Sequence, residues 1–310
     1  NMLYKTLMLM SRIIRLLPYD VLLFAGKLLG NLYYLLVKKQ RERAVAQMMP
    51  ALNISEAEAR KLVKASFVNL ARNMLDILYM PNLNERNLSE YIEIDHLERM
   101  RTAILGGNGV VVLTGHIGTW EWLSAAFSLN GMPVTAIAKL QPNAQYSRAL
   151  DDLRATIHVE IFNRGTNELR AAGRALKEGK ILGFLADQDA GPGGAFIKFL
   201  GKTASTPLGP AVFARRFNAP VVPAFIIRKE NGRHLVKIGE IMRFEDTGDT
   251  DADLLRFTEK MTRILEEVIR ENPTQWLWFQ KRWNTPPEMQ KTNKHHTVKG
   301  RRKSKEAFDS

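Results

Sequence analysis

From residue 109 onward, short apolar runs alternate with segments of helical periodicity. "GVVVLT" (109–114) is a continuous β-branched run, too short for a buried helix. A helical segment follows to Leu129, and "NGMP" (130–133) ends it. The alternation then repeats through "VTAIA" (134–138), the helix-like "QYSRALDDLRAT", "HVEIF" (158–162), "ELRAAGRALKEG" closed by Gly179, and "KILGFLA" (180–186). "APVVPAFIIR" (219–228) and "HLVKIGEI" (234–241) read as further strands, and 251–272 as a last helix. Fully apolar strands between helices predict an α/β fold, with a largely parallel or mixed central sheet flanked by helices. Upstream, residues 53–78 read as helix, with Ser55 as N-cap and Leu62, Phe67, Leu70, Met74 and Leu78 at helical spacing. No repeat or linker interrupts 50–285, so 46–288 is expected to form one domain.

The first 45 residues have a different pattern. Leu, Met, Ile and Tyr dominate, broken by Arg12, Arg15, Pro18, Asp20 and Lys27. The cleanest run, Val21–Val37, would reach about 25 Å as a helix, slightly short of a bilayer core. No small-residue cleavage site follows it, so a secretory signal is not expected. An N-terminal helical, membrane-facing segment fits best, lying in the interface or barely spanning. A buried amphipathic hairpin is the alternative. Charge supports the membrane reading: of the net +13, residues 1–43 carry +6 and 291–310 carry +5. The body is nearly neutral, so no basic face for nucleic acid is expected. Residues 289–310 read as a basic, disordered tail. With no cysteine, disulfides, thiolate metal sites and cysteine nucleophiles are excluded.

The chemistry concentrates at the end of the first strand, in "HIGTWE". On a continuous helix, His116 and Glu121 would be turned about 140° apart. They can meet if the helix starts between them, with Thr119 as N-cap and Glu121 in its first turn. His116 then sits at a strand's carboxyl end, where open α/β sheets bind ligands, and Glu121 would orient it as a base. Arg164, between a strand and a helix, suits a phosphate or carboxylate. "FLADQDAGPGG" ends a strand with Asp187, Gln188 and Asp189. Two carboxylates on one side make Mg²⁺ conceivable, but no third ligand is evident. A Walker A loop fails because Phe196 stands where its first glycine belongs, and no G-x-S-x-G elbow exists. Pro223 inside an apolar run is open to two readings, a Val-Pro strand end or plain edge-strand chemistry. "WLWFQKRW" suits a closing lid, a membrane-interface belt or a C-terminal core plug.

"HIGTWE" resembles the His-x4-acid motif of the glycerolipid acyltransferase superfamily. The ordered blocks from "IFNRGTNELR" through "APVVPAFIIR", together with "QWLWFQKRW", resemble its bacterial lipid A late-acyltransferase branch over roughly residues 1–285. That resemblance implies a membrane-associated O-acyltransferase at the inner membrane, working on its cytoplasmic side. The implied donor is an acyl-carrier-protein thioester, with acyl-CoA possible, and the acceptor is a hydroxyl of a lipid A precursor. It implies no metal or other cofactor and no covalent acyl-enzyme. His116 would be the base and Glu121 its partner. Arg154 and Arg164 would face the substrate, as would Gln188, and Asp187 would organise arginines or substrate hydroxyls. The rivals are the same chemistry on a phosphatidylinositol mannoside or lysophospholipid, a non-catalytic membrane scaffold, and a metal-dependent phosphohydrolase.

Overall fold

The computed structural model describes residues 2–138, 142–163 and 168–290. The chain opens with four helices, α1 (Met2–Ile14), α2 (Tyr19–Leu36), α3 (Lys38–Leu52) and α4 (Glu56–Tyr79). Short α5 (Leu88–Tyr91) leads to β1 (Ile92–Asp95) and α6 (Leu97–Leu105), and then the alternation begins. It runs β2 (Val110–Thr114), α7 (Trp120–Ser128), β3 (Val134–Ala138), α8 (Ala144–Ala155), β4 (Val159–Asn163), α9 (Glu168–Lys177) and β5 (Ile181–Leu185). A hairpin, β6 (Ala195–Phe199) and β7 (Lys202–Thr206), precedes α10 (Gly209–Phe217), β8 (Val221–Arg228), β9 (His234–Ile238) and α11 (Thr250–Glu271).

Seven strands form one sheet in the order β1-β9-β8-β2-β5-β3-β4, parallel throughout except for β8 against β9. This is the mixed sheet that the run pattern predicts. Alternate residues of each strand enter different cores, as the two-residue pleat requires. Val111, Leu113 and Leu182 pack with residues of α9, α10 and α11. Val110, Val112 and Ile181 pack with residues of α7 and α8. Helix α4 starts where expected, because Ser55 and Glu58 form a reciprocal capping box.

Pro223 departs from the edge-strand expectation. It lies in β8, buried along its whole length between β9 and β2. The β2–β8 ladder ends at the Leu113↔Pro223 pair, where a residue without an N–H cannot extend it. Beyond that pair the loop after β2 passes over β8. A Cβ on Gly118 (φ +57°) would come within 1.9 Å of the Ile226 carbonyl oxygen, so only glycine fits there.

The N-terminal segment is built into the fold. Ile14 and Leu22 belong to the same core as β2 and α7. No single helix among the described residues is long and apolar enough to cross a membrane; α2 and α3 meet that length and composition only as a pair bent by 93°. Helix α2 buries Leu22, Gly26 and Gly30 and exposes Phe24, Leu28, Leu32, Leu35 and Leu36 on other sides.

Candidate active site

Strand order decides the site. β2 and β5 are neighbours paired in parallel, with Thr114 opposite Leu185. Two residues further on each chain stand His116 and Asp187, so continuing the register brings them together. The His116 backbone N–H donates to Asp187 Oδ2 at 3.0 Å, and His116 Nδ1 lies 2.8 Å from Asp187 Oδ1. A carboxylate so close to Nδ1 keeps the proton on that nitrogen and leaves Nε2 as the acceptor. Nε2 is 3.5 Å from the Gln188 amide nitrogen, and both residues line a cavity. The ring packs edge-on against Trp120.

The sequence pattern pairs His116 with Glu121; the structure gives that place to Asp187. Glu121 points instead to Arg154 of α8, which grips it at 2.8 Å (Nε) and 2.6 Å (Nη2). Both side chains of that pair are nearly buried, 10% and 13% exposed, so the clamp is shielded from solvent screening. Asp187 accordingly organises the histidine rather than an arginine. Asp189 turns away and accepts from Thr285, leaving no aspartate pair aimed at one point. Arg164 lies outside the described residues.

Thr119 takes the N-cap position of α7 but makes no side-chain cap hydrogen bond. Its hydroxyl lies 2.7 Å from Asp76 Oδ2 and 2.9 Å from Asn73 Oδ1, both from α4. Asn73 also donates to the Gly118 carbonyl at 2.7 Å. Arg228 of β8 pairs with Asp76 and donates to Thr119 Oγ1, and His234 stands beside the same carboxylate. A buried polar cluster thus holds the His116–Thr119 turn from behind. Sequence reading missed it because Asp76, Arg228 and His234 lie on three separate elements.

The C-terminal "QWLWFQKRW" is a core plug rather than a lid or belt. Trp276 and Trp278 are fully buried. Trp276 bridges to Ile117, and its indole N–H donates to Asp187 Oδ2 at 2.8 Å. Gln280 adds a further donor at 3.3 Å. Buried Arg282 donates to Ser205 O and Thr206 Oγ1 and lies over the Phe199 ring.

Electrostatics follow from these contacts. Burial pushes the Asp187 carboxyl up, but His116 and the converging N–H donors outweigh it and hold it well below its ordinary value. Burial alone would lower the His116 imidazole; attraction to Asp187, its hydrogen bond and the more distant Glu121 raise it instead.

The cavity beside His116 measures about 710 Å³, within the range of ligand sites. Same-face residues of four parallel strands make its floor: Val112 and Thr114, Ile181 and Gly183, Val134 and Ala136, Val159 and Ile161. Leu123 and Phe127 of α7, with Leu150 of α8, also line it. An apolar chamber therefore opens at one end onto a histidine, an ion pair and an amide.

The family described as bacterial lipid A biosynthesis acyltransferase matches residues 4–285. The lipid A biosynthesis lauroyltransferase of Escherichia coli (strain K12) is 25% identical over 88% of each chain. The lipid A biosynthesis palmitoleoyltransferase of the same organism is 24% identical over 87% of each. The phosphatidylinositol mannoside acyltransferase of Mycolicibacterium smegmatis is 22% identical over 72% of each.

Proposed function

Because this chain belongs to the bacterial lipid A biosynthesis acyltransferase family, we propose that it moves a fatty acyl chain from a carrier thioester to a hydroxyl of a lipid A precursor, with His116 as general base. The observation that carries this reading is the His116–Asp187 contact at the mouth of the apolar cavity. His116 Nε2 takes the proton of the acceptor hydroxyl, whose oxygen attacks the thioester carbonyl carbon. Asp187 steadies the imidazolium formed. The tetrahedral intermediate collapses as the C–S bond breaks, and the thiolate recovers the proton from Nε2. An ester and a free thiol result, with no acyl-enzyme. Trp120, the first residue of α7, and Arg154 line the same cavity as His116, and the positive end of that helix and the guanidinium would steady the negative charge that develops.

The acyl chain occupies the chamber, along its apolar floor. By the family resemblance the donor thiol belongs to an acyl-carrier protein, with acyl-CoA as the substitute. The enzyme docks on the inner membrane from the cytoplasmic side through α1 and α2. Each large apolar side chain moved from water into lipid contributes about 1–3 kcal/mol, and these helices expose more than a dozen of them. The mycobacterial relative supports a second acceptor class, a phosphatidylinositol mannoside, with unchanged chemistry.

A mass-spectrometric transfer assay tests the proposal. Purified protein in detergent receives mixed acyl-carrier-protein donors and a tetra-acylated lipid A precursor, with His116→Ala in parallel. A gain of one acyl group that the variant loses supports the assignment. No gain with that acceptor, but transfer to a mannosylated phosphoinositide, moves it to the second acceptor class. Silence on both refutes the enzymatic reading.

A further inference from the structure

A second cavity, of about 500 Å³, lies away from His116, between α2 and α4. The two helices touch closely at successive turns: a Cβ on Gly26 would fall 3.1 Å from the Arg72 Cα, and one on Gly30 2.4 Å from the Val68 Cα. From there the helices face each other across a groove lined by Lys27 and Asn31 of α2 and by Lys61, Lys64 and Arg72 of α4. The lining holds four cations and no Asp or Glu. Lys61 and Lys64 are three residues apart on one helix, a like-charge arrangement that weakens it. Lys27, Lys61 and Lys64 are exposed, whereas Arg72 is half-buried, its Nε donating to the Leu23 carbonyl at 3.1 Å. Burial, and then the Arg228 cation, push the Arg72 guanidinium below its ordinary value, so an anion in the groove would relieve it.

We infer that this groove binds the phosphate of an anionic phospholipid headgroup when the enzyme sits on a membrane. The choice of partner rests on position. Lys27 stands on α2 beside Phe24 and Leu28, which are 62% and 56% exposed. Helix α2 therefore offers a cation to a headgroup and apolar side chains to its acyl chains, and α4 supplies the other three cations. An acidic protein surface would match the charge but leave that apolar row uncovered. The inference rests on the membrane-docking reading given above, and it adds selectivity for negative lipid to apolar adsorption.

Vesicle sedimentation of the full chain tests it, with phosphatidylcholine vesicles compared against phosphatidylcholine mixed with phosphatidylglycerol. The groove variant is Lys61→Ala/Lys64→Ala, and the control is Lys38→Ala/Lys39→Ala, exposed lysines outside the groove. Melting curves confirm that both fold. Wild type should prefer the anionic vesicles. Each lysine near the surface is worth about fivefold in binding, so the groove variant should lose roughly 25-fold on them and little on phosphatidylcholine. Phe24→Glu, on the apolar row, should weaken binding to both vesicles. Equal losses in the two lysine variants would mean diffuse attraction and overturn the groove. Groove variants binding like wild type would pass the groove to an acidic protein partner and overturn the lipid assignment. Wild type binding both vesicles equally refutes the groove alone. Wild type binding neither sinks membrane docking and the groove together.

Discussion

Replacing Asp187 with asparagine is the sharpest perturbation of the proposed mechanism. Three donors converge on Asp187 Oδ2: the His116 backbone N–H at 3.0 Å, the Trp276 indole at 2.8 Å and the Gln280 amide at 3.3 Å. An asparagine has one oxygen, and these donors fix it at the Oδ2 position. Its NH₂ must then face His116 Nδ1. The ring answers by accepting at Nδ1 and placing its proton on Nε2, the nitrogen that has to receive the substrate's proton. Inverting the tautomer of a catalytic histidine costs about 10⁴-fold in a serine protease triad. General-base help as a whole is worth about 10²–10⁴-fold. The expected fall in kcat for Asp187→Asn is therefore about 10³–10⁴-fold, or roughly 4–5.5 kcal/mol of barrier.

The pH profile gives a second readout. Burial lowers the His116 imidazole, and Asp187 more than compensates, so its pKa is raised in the native enzyme. The base works when neutral, so the rate falls as pH drops through that raised value. With the carboxylate gone and burial unchanged, the residual activity should hold to lower pH. Single-turnover acyl transfer followed by mass spectrometry across pH measures both effects. If Asp187→Asn keeps activity within tenfold while Glu121→Gln shifts the acid limb, the histidine's partner is Glu121 and the argument fails.

Trp276→Phe removes one charge-assisted donor to Asp187, worth about 1.5–3 kcal/mol of stability, and calorimetry should show a Tm drop of about 2–5 °C, with a smaller loss of kcat than in Asp187→Asn. Gly183 opens the cavity floor, where an added Cβ meets only ordinary contacts at 3.7 and 4.0 Å. Gly183→Ala should therefore fold and, by raising the floor, shift a mixed-donor assay toward shorter acyl chains; an unchanged product distribution would place the acyl chain elsewhere. Asp76→Ala leaves Arg228 buried without its carboxylate, a loss of about 3–5 kcal/mol, and calorimetry should show a Tm drop of about 5–8 °C. Burial raises the Asp76 carboxyl, but Arg228, His234 and Thr119 hold it below its ordinary 3.8. Its stabilisation is thus complete above that pH and lost below it, so the gap between wild type and variant should narrow in acid.

The sequence by itself determined the elements and the neighbourhood of the chemistry. Runs such as "GVVVLT" and "KILGFLA" are apolar on both faces, and only strands covered by helices on both sides bury them fully. The Ser55–Glu58 capping box and the position of His116 after β2 are local facts, legible without a fold. Strands β1, β6 and β7, four or five residues each, lacked such runs. The tertiary structure decided the partners. Glu121 is five residues from His116 in the chain, yet its carboxylate is taken by Arg154, thirty-three residues on. Asp187, seventy-one residues from His116, meets it because β5 lies in register beside β2. Strand order is set by how whole faces bury against helices, and no local spacing encodes it. The C-terminal tryptophans show the same division: their composition suited a lid, a belt or a plug, and the burial of Trp276 against Asp187 made them the plug.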